Sequence, residues 1–206
     1  MSRDVRDFVH LRMRSPYSML EGALKLKPTA AAVAKFGQPA IALTDTNNLC
    51  VAREFSEAMT GEGVQPIIGV TLSMNLEGEL QPGQLRRDPD GTLGLLAHID
   101  TGYAKLMALS SSAFLDVEGS ELPHVKASAL QDRTDGVIAL TGGPDGALNQ
   151  LIVKGREEEA RRWLTQLVSL FPGRLYVELQ RHGTKEEAQA EPVLINMAYE
   201  LGLPLV

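Results

Sequence analysis

Cysteine is almost missing from this chain. Cys50 stands alone, so no internal disulfide can form and a cysteine-rich zinc site is excluded. Within the pattern LCVA it reads as a small buried hydrophobe, and the lone thiol fits a reduced, cytoplasmic setting. Histidine is scarce as well: His10, His98, His124 and His182 are the whole supply, whereas a multinuclear metal centre gathers several imidazoles and carboxylates at one point. Positive charge is not in excess. The net charge of −6 and isoelectric point near 5.3 argue against a domain whose whole surface grips nucleic acid, although a local basic patch, or DNA contact by another part of a larger protein, stays open. No apolar run approaches the length that crosses a bilayer, and the opening MSRDVRDF is too polar for a signal peptide. No G-x-S-x-G elbow, P-loop or G-x-G-x-x-G fingerprint occurs.

What is present suits a folded domain. The 206 residues are 44% hydrophobic and 22% charged, enough to bury a core, and residues 1–206 read as one domain. FVHLRM (8–13) alternates as a strand does, and KPTAAAVAKFG follows as a helix stopped by Gly37. AIALT (40–44) is a short strand, VAREFSEAMTGEG a helix, PIIGVTLSM (66–74) a strand. Residues 75–91, polar and rich in turn formers, read as a hairpin or surface loop. TLGLLAHI (92–99) is a strand and TGYAKLMALSSSAFL a helix. An irregular stretch from 116 to 133 carries a short helix near 126–131. GVIALTGG (136–143) gives strand and turn, and helices at 146–154 and 156–171 flank Gly155. RLYVELQ (174–180) is a strand, and 185–201 a helix in which Pro192 implies a kink or a later start. GLPLV opens a last strand. Such alternation predicts βα units on a mostly parallel sheet, an α/β barrel or near-barrel.

Functional side chains of such folds gather at the carboxyl ends of the strands. Here that rule selects Arg12, Arg14, Asp45, Thr46, Thr71, Thr92, Gly142, Glu178 and His182. His182 is the histidine expected to point into the strand-end cleft. His10 reads as a hydrogen-bonded structural residue, His98 as solvated or capping, and His124 as a surface residue. LTGGPDG (140–146) has the glycines to cradle a phosphate, but a tight strand-to-helix turn needs the same residues and is the preferred reading. Ser110–Ser112 lie on a helix without an adjacent base, and Glu157–Glu159 with Arg161 and Arg162 make a solvated helix face.

FVHLRMRSPYSMLEG, AIALTDTNNL, QPIIGVTLSM, LGLLAHIDTGYAKLMALSS and YVELQRHG resemble, in order and spacing, the PHP (polymerase and histidinol phosphatase) family. Specifically, they resemble the N-terminal PHP domain of bacterial replicative DNA polymerase III alpha subunits, over Phe8 to Val206. The resemblance implies a distorted seven-stranded (βα) barrel of the PHP type, its final strand truncated at LPLV as in a fragment of a much larger subunit. In metal-binding members the first motif reads H-L-H-V-H-S. Here its second and third histidines are Arg12 and Arg14, while Glu21 keeps an acidic position. T-D-H has become Thr44–Asp45–Thr46, and family ligands are replaced at Thr71 and Thr92. Glu178 and His182 remain, within E-L-x-x-H, and the last Asp and His would follow Val206. The resemblance therefore implies a degenerate metal cleft with no catalytic residue, no metal and no cofactor of its own; magnesium belongs to the polymerase domain of the full-length protein. It implies as partners the polymerase body of the same chain and the proofreading exonuclease subunit, with DNA reached through the holoenzyme and no membrane. The rival expectation is a metal-dependent phosphoesterase, pyrophosphatase or 3′–5′ exonuclease. In the inactive reading, Arg12 and Arg14 replace the metals as local positive charge and neutralise Glu21, Asp45 and Glu178; otherwise both point to solvent.

Overall fold

The computed structural model describes residues 8–78, 88–119 and 121–206. Among these residues seven strands form one curled sheet: β1 (His10–Met13), β2 (Ala40–Leu43), β3 (Gln65–Asn75), β4 (Gly91–Ala97), β5 (Val125–Lys126), β6 (Val137–Leu140) and β7 (Leu175–Tyr176). Their order is β1-β2-β3-β4-β6-β7, with β5 paired to the far end of β3. Six α-helices among the described residues accompany them: α1 (Leu26–Lys35), α2 (Ala52–Gly61), α3 (Asp100–Leu115), α4 (Ala147–Val153), α5 (Glu157–Leu170) and α6 (Lys185–Leu201). The architecture is a distorted (βα) barrel. Leu205 makes a parallel bridge to Val177 beside β7, where the last strand was expected.

The sheet is less parallel than the alternation of elements implies. β1, β2 and β3 pair in parallel, as do β6 and β7, but β4 runs antiparallel to both β3 and β6. The register shows the return directly: Met74 lies opposite Gly91 and Gly69 opposite Leu96, so β4 runs back along β3 as the second arm of an antiparallel pair. Of the loop expected at 75–91, Asn75 closes β3 and Gly91 opens β4, while 79–87 lie outside the described residues. β7 spans two residues rather than the seven expected of 174–180, and the expected short helix near 126–131 is a 3-10 turn at Ala127–Leu130.

Two apolar layers hold the helices to the sheet. α1 and α2 pack Val33, Phe55 and Met59 against Met13, Ile41 and Leu43. α3 to α6 pack on the other strands through Leu72, Leu93, Leu106, Leu109, Leu148, Leu164 and Leu194, all at most 1% exposed. Gly102 lets α3 approach closely, since a Cβ there would lie 1.9 Å from the carbonyl oxygen of Gly136. α6 begins at Lys185 despite Pro192. Thr184 and Glu187 form a capping box that fixes the start, and Pro192 is exposed, so the carbonyl whose partner it removes can reach water.

Three single-residue expectations are corrected. Cys50 is exposed, because only Val51 and Ala52 of LCVA turn inward at the start of α2. His124 is 1% exposed. Its backbone N–H donates to Ala113 O, its Nε2 lies 3.2 Å from the Asn75 amide, and its Nδ1 faces Leu122 O at 2.9 Å. His10 is exposed and meets Phe8 edge-to-face instead of acting as a hydrogen-bonded interior residue.

Candidate functional site

β1 is short and alternates, so Met13 turns towards α1 while Arg12 turns into the barrel mouth. Arg12 Nη1 donates to Glu178 Oε2 at 2.7 Å and Nη2 to Thr71 Oγ1 at 3.3 Å. The guanidinium thus links β1 to β3 and to the segment after β7, strands at opposite ends of the sheet order. It finds room because position 94 is glycine: a Cβ there would lie 2.9 Å from Arg12 Nη1 and 3.3 Å from Leu140 Cβ. The Arg12 and Glu178 side chains are only 15% and 6% exposed. Glu178 is held further by the Gly142 N–H at 3.2 Å and the Gln180 amide at 2.5 Å. Arg12 Nε is buried and has no hydrogen-bond partner among the described residues.

The glycine turn after β6 has a structural duty. Gly142 and Gly143 have φ of +100° and +59°, which favours glycine, and the Gly142 N–H is spent on the Glu178 carboxylate. These residues form the tight turn, as preferred over the phosphate cradle.

Arg14 lies one alternation further on and meets Glu21, Nη1 to Oε2 at 2.9 Å. Glu21 Oε2 also accepts from Thr46 Oγ1 at 2.6 Å. Asp45 meets neither arginine. Buried at 1% exposure, it accepts from Ser15 N at 2.8 Å, Ser15 Oγ at 2.6 Å and Ser18 Oγ at 2.6 Å, and so folds the turn after β1 back onto the end of β2. Ser18 Oγ in turn accepts from Thr46 N at 3.0 Å.

Two sequence-selected positions stand apart from this network. Thr92 places a buried Oγ1 that has no partner among the described residues, next to the Gly142 turn. His182 has a 68% exposed side chain and turns to α6: its N–H and Nδ1 both bond Glu187, at 2.8 and 2.7 Å. The Thr184 N–H, which also donates to Glu187, contributes most to holding that carboxyl down at about 2, with the His182 N–H and ring and the Thr184 hydroxyl adding to it. Among the described residues, no three of His, Cys, Asp and Glu come together as a metal ligand set.

Arg12, Arg14, Glu21, Gly142, Asp145 and Gln180 line a polar pocket of about 300 Å³. Sequence reasoning missed Ser15, Ser18, Gly94 and Gln180. Gln180 lies on the same strand face as Glu178 by alternation, and a glycine inside the strand pattern TLGLLA marks a close approach; both signals were readable. The two serines carry no comparable signal, since hydroxyls are common in turns.

The profile of the PHP domain family matches residues 10–182. DNA polymerase III subunit alpha of Caulobacter vibrioides is 42% identical over 199 residues, covering 97% of this chain and 17% of the relative. The subunit of the same name from Escherichia coli K12 is 33% identical over 199 residues, with the same coverage of 97% and 17%. The chain therefore spans about a sixth of the length of these curated relatives. Among solved structures, an amidohydrolase from Chromobacterium violaceum shares the fold with a TM-score of 0.58 at 15% identity, over 96% of this chain and 84% of that one.

Proposed function

Since the chain belongs to the PHP domain family, we propose that it is the PHP domain of a replicative DNA polymerase III alpha subunit and acts there as a catalytically inactive structural and docking module. The observation that carries the inactive reading is the Arg12 guanidinium lodged in the barrel mouth, bonded to Glu178 and Thr71. A hydrolytic PHP centre needs metal ligands at these strand ends, and Arg12, Arg14, Thr46, Thr71 and Thr92 supply no imidazole or carboxylate. Guanidiniums repel a divalent cation, so the donor set does not fit a metal and no chemical step is routed through one.

The cleft's role is then cohesive. Arg12 ties β1 to β3 and Glu178, and Arg14, Glu21 and Thr46 tie the turn after β1 to the end of β2. By likeness to the alpha subunits, the full protein performs template-directed DNA synthesis, with magnesium held by its polymerase domain. This domain supports the polymerase body of the same chain, receives the proofreading exonuclease subunit, and meets DNA only through the holoenzyme, in the cytoplasm. No helix among the described residues is long and apolar enough to cross a membrane.

The amidohydrolase-like fold favours one second reading, a metal-dependent phosphoesterase, pyrophosphatase or 3′–5′ exonuclease. Elemental analysis of protein purified without chelators, with hydrolysis assays on a phosphodiester, pyrophosphate and a DNA 3′ end in added manganese or zinc, separates the two. The inactive reading expects no stoichiometric metal and no metal-stimulated turnover. Stoichiometric metal with turnover that a chelator abolishes overturns it. The docking role is tested separately by co-elution with the exonuclease subunit.

A further inference from the structure

His124 is buried where the chain after α3 meets the far end of β3, and its two ring nitrogens have opposite duties. Nδ1 faces Leu122 O at 2.9 Å, a group that only accepts, so Nδ1 carries the proton. Nε2 lies 3.2 Å from Asn75 Nδ2. The Glu77 N–H donates to Asn75 Oδ1 at 2.8 Å, which turns the Asn75 NH2 group towards the ring. Nε2 is therefore the acceptor and the ring is neutral. This bond spans 49 residues. It joins the strap 121–128 to β3, beside the short pairing of Met74 with Val125 and Asn75 with Lys126.

A second proton, on Nε2, would face the Asn75 donor and find no acceptor there. Glu121 Oε2, on the strap itself, lies 3.8 Å from Nε2. Other charged groups around the junction are engaged or turned outward. Glu77 at the end of β3 accepts from Ser128 N and Oγ at 2.7 and 3.0 Å, and Asp90 before β4 accepts from Leu76 N at 2.8 Å. Lys126 on β5, and Asp116 and Glu118 after α3, are exposed. We propose that His124 is a proton-operated latch. Neutral, it fastens the strap 121–128 to β3 through Asn75; protonated, it turns to Glu121 and lets go of β3. The strap also holds Asn47, whose side-chain amide donates to Pro123 O at 3.3 Å, so the latch bears on the loop after β2. Histidine changes charge between about pH 5 and 8, so the fastened state belongs to the upper part of that range and is lost as pH falls through it.

The test is hydrogen exchange in the full-length polypeptide, followed by mass spectrometry and corrected for the intrinsic pH dependence of exchange. Between about pH 7.5 and about pH 5.5, protection at 74–77 and 124–128 is expected to fall about tenfold while that of α2 stays constant. Glu121→Gln removes the second partner's charge and is expected to move this loss to lower pH. Asn75→Asp keeps an acceptor for the Glu77 N–H and offers the charged ring a carboxylate, so it is expected to abolish the loss. Equal protection at both pH values in the natural sequence overturns the latch, as does a loss that neither variant alters.

Discussion

Replacing Arg12 by Met keeps an unbranched side chain and removes the charge, which isolates the pair at the centre of the cleft. Arg12 and Glu178 are 15% and 6% exposed and 2.7 Å apart. Removing one member of a buried pair costs about 3–5 kcal/mol because the other is left buried and uncompensated. Glu178 would keep the Gly142 N–H and the Gln180 amide, so the lower end applies, about 3 kcal/mol. Glu178→Gln leaves the more exposed arginine an amide oxygen to bond, for a loss of about 1.5 kcal/mol. The double variant strands neither charge. Its loss is expected near 2 kcal/mol, short of the sum of the single losses by a coupling of more than about 2 kcal/mol. Equilibrium urea unfolding followed by the single tryptophan, Trp163, buried at 5% exposure in α5, reads these values. With a slope of about 2.5 kcal/mol per molar, Arg12→Met lowers the midpoint by about 1.2 M. A shift under about 0.3 M, or single losses that add within about 0.5 kcal/mol, would refute the claim that this guanidinium bridges the barrel mouth.

Gly94→Ala pushes a Cβ against Arg12 Nη1 and Leu140. It is expected to cost about 2 kcal/mol in the natural sequence but markedly less in the Arg12→Met background, and equal costs in the same urea assay would show that Gly94 does not make room for the guanidinium. Asp45→Asn turns an acceptor of three hydrogen bonds into a group that must present donors to some of the same partners. A loss of about 2 kcal/mol is expected, with hydrogen exchange accelerated first at 15–22; unchanged exchange there would argue against an anchored turn. Glu187 has a folded pKa of about 2 against an ordinary 4.5. Its stabilising contribution is therefore fully present above pH 4.5 and is lost as pH falls from there towards 2. Glu187→Gln should flatten that part of the stability-versus-pH curve, and an unchanged slope would count against the capping box as its source.

The order and type of the elements were legible because each helix and strand carries its own period and stop, as in α1 between Pro28 and Gly37. Strand direction was not equally legible. Alternating elements suggest parallel crossovers, yet the polar stretch between β3 and β4 holds no helical pattern, and such a link returns the chain antiparallel. Burial of His124 depends on 121–126 tucking beside the end of α3 and reaching Asn75, 49 residues away, which no local pattern announces. In the cleft, the rule that functional side chains gather at strand ends selected Arg12, Arg14, Glu178, Asp45 and Thr71. What it could not decide is which acid each arginine meets, since that depends on the bulge in β1 and on the space left by Gly94.

If the cleft holds no metal, as proposed, the partners of the three acids make the arginines more than an obstacle that two substitutions would lift. Asp45 holds three donors from the turn after β1, Glu21 holds Arg14 and Thr46, and Glu178 holds Arg12, Gly142 and Gln180. Each carboxylate is thus committed to protein donors that also fix local chain geometry. An entering cation would have to displace those donors, leaving buried N–H and O–H groups unpaired at a cost of about 1–3 kcal/mol each. Histidines restored at Arg12 and Arg14 would supply nitrogen ligands, but Asp45 would still be held in the turn by Ser15 and Ser18. On the proposed metal-free reading, the resistance of this cleft to metal lies as much in Ser15 and Ser18, which release nothing when the arginines are changed, as in the guanidiniums themselves.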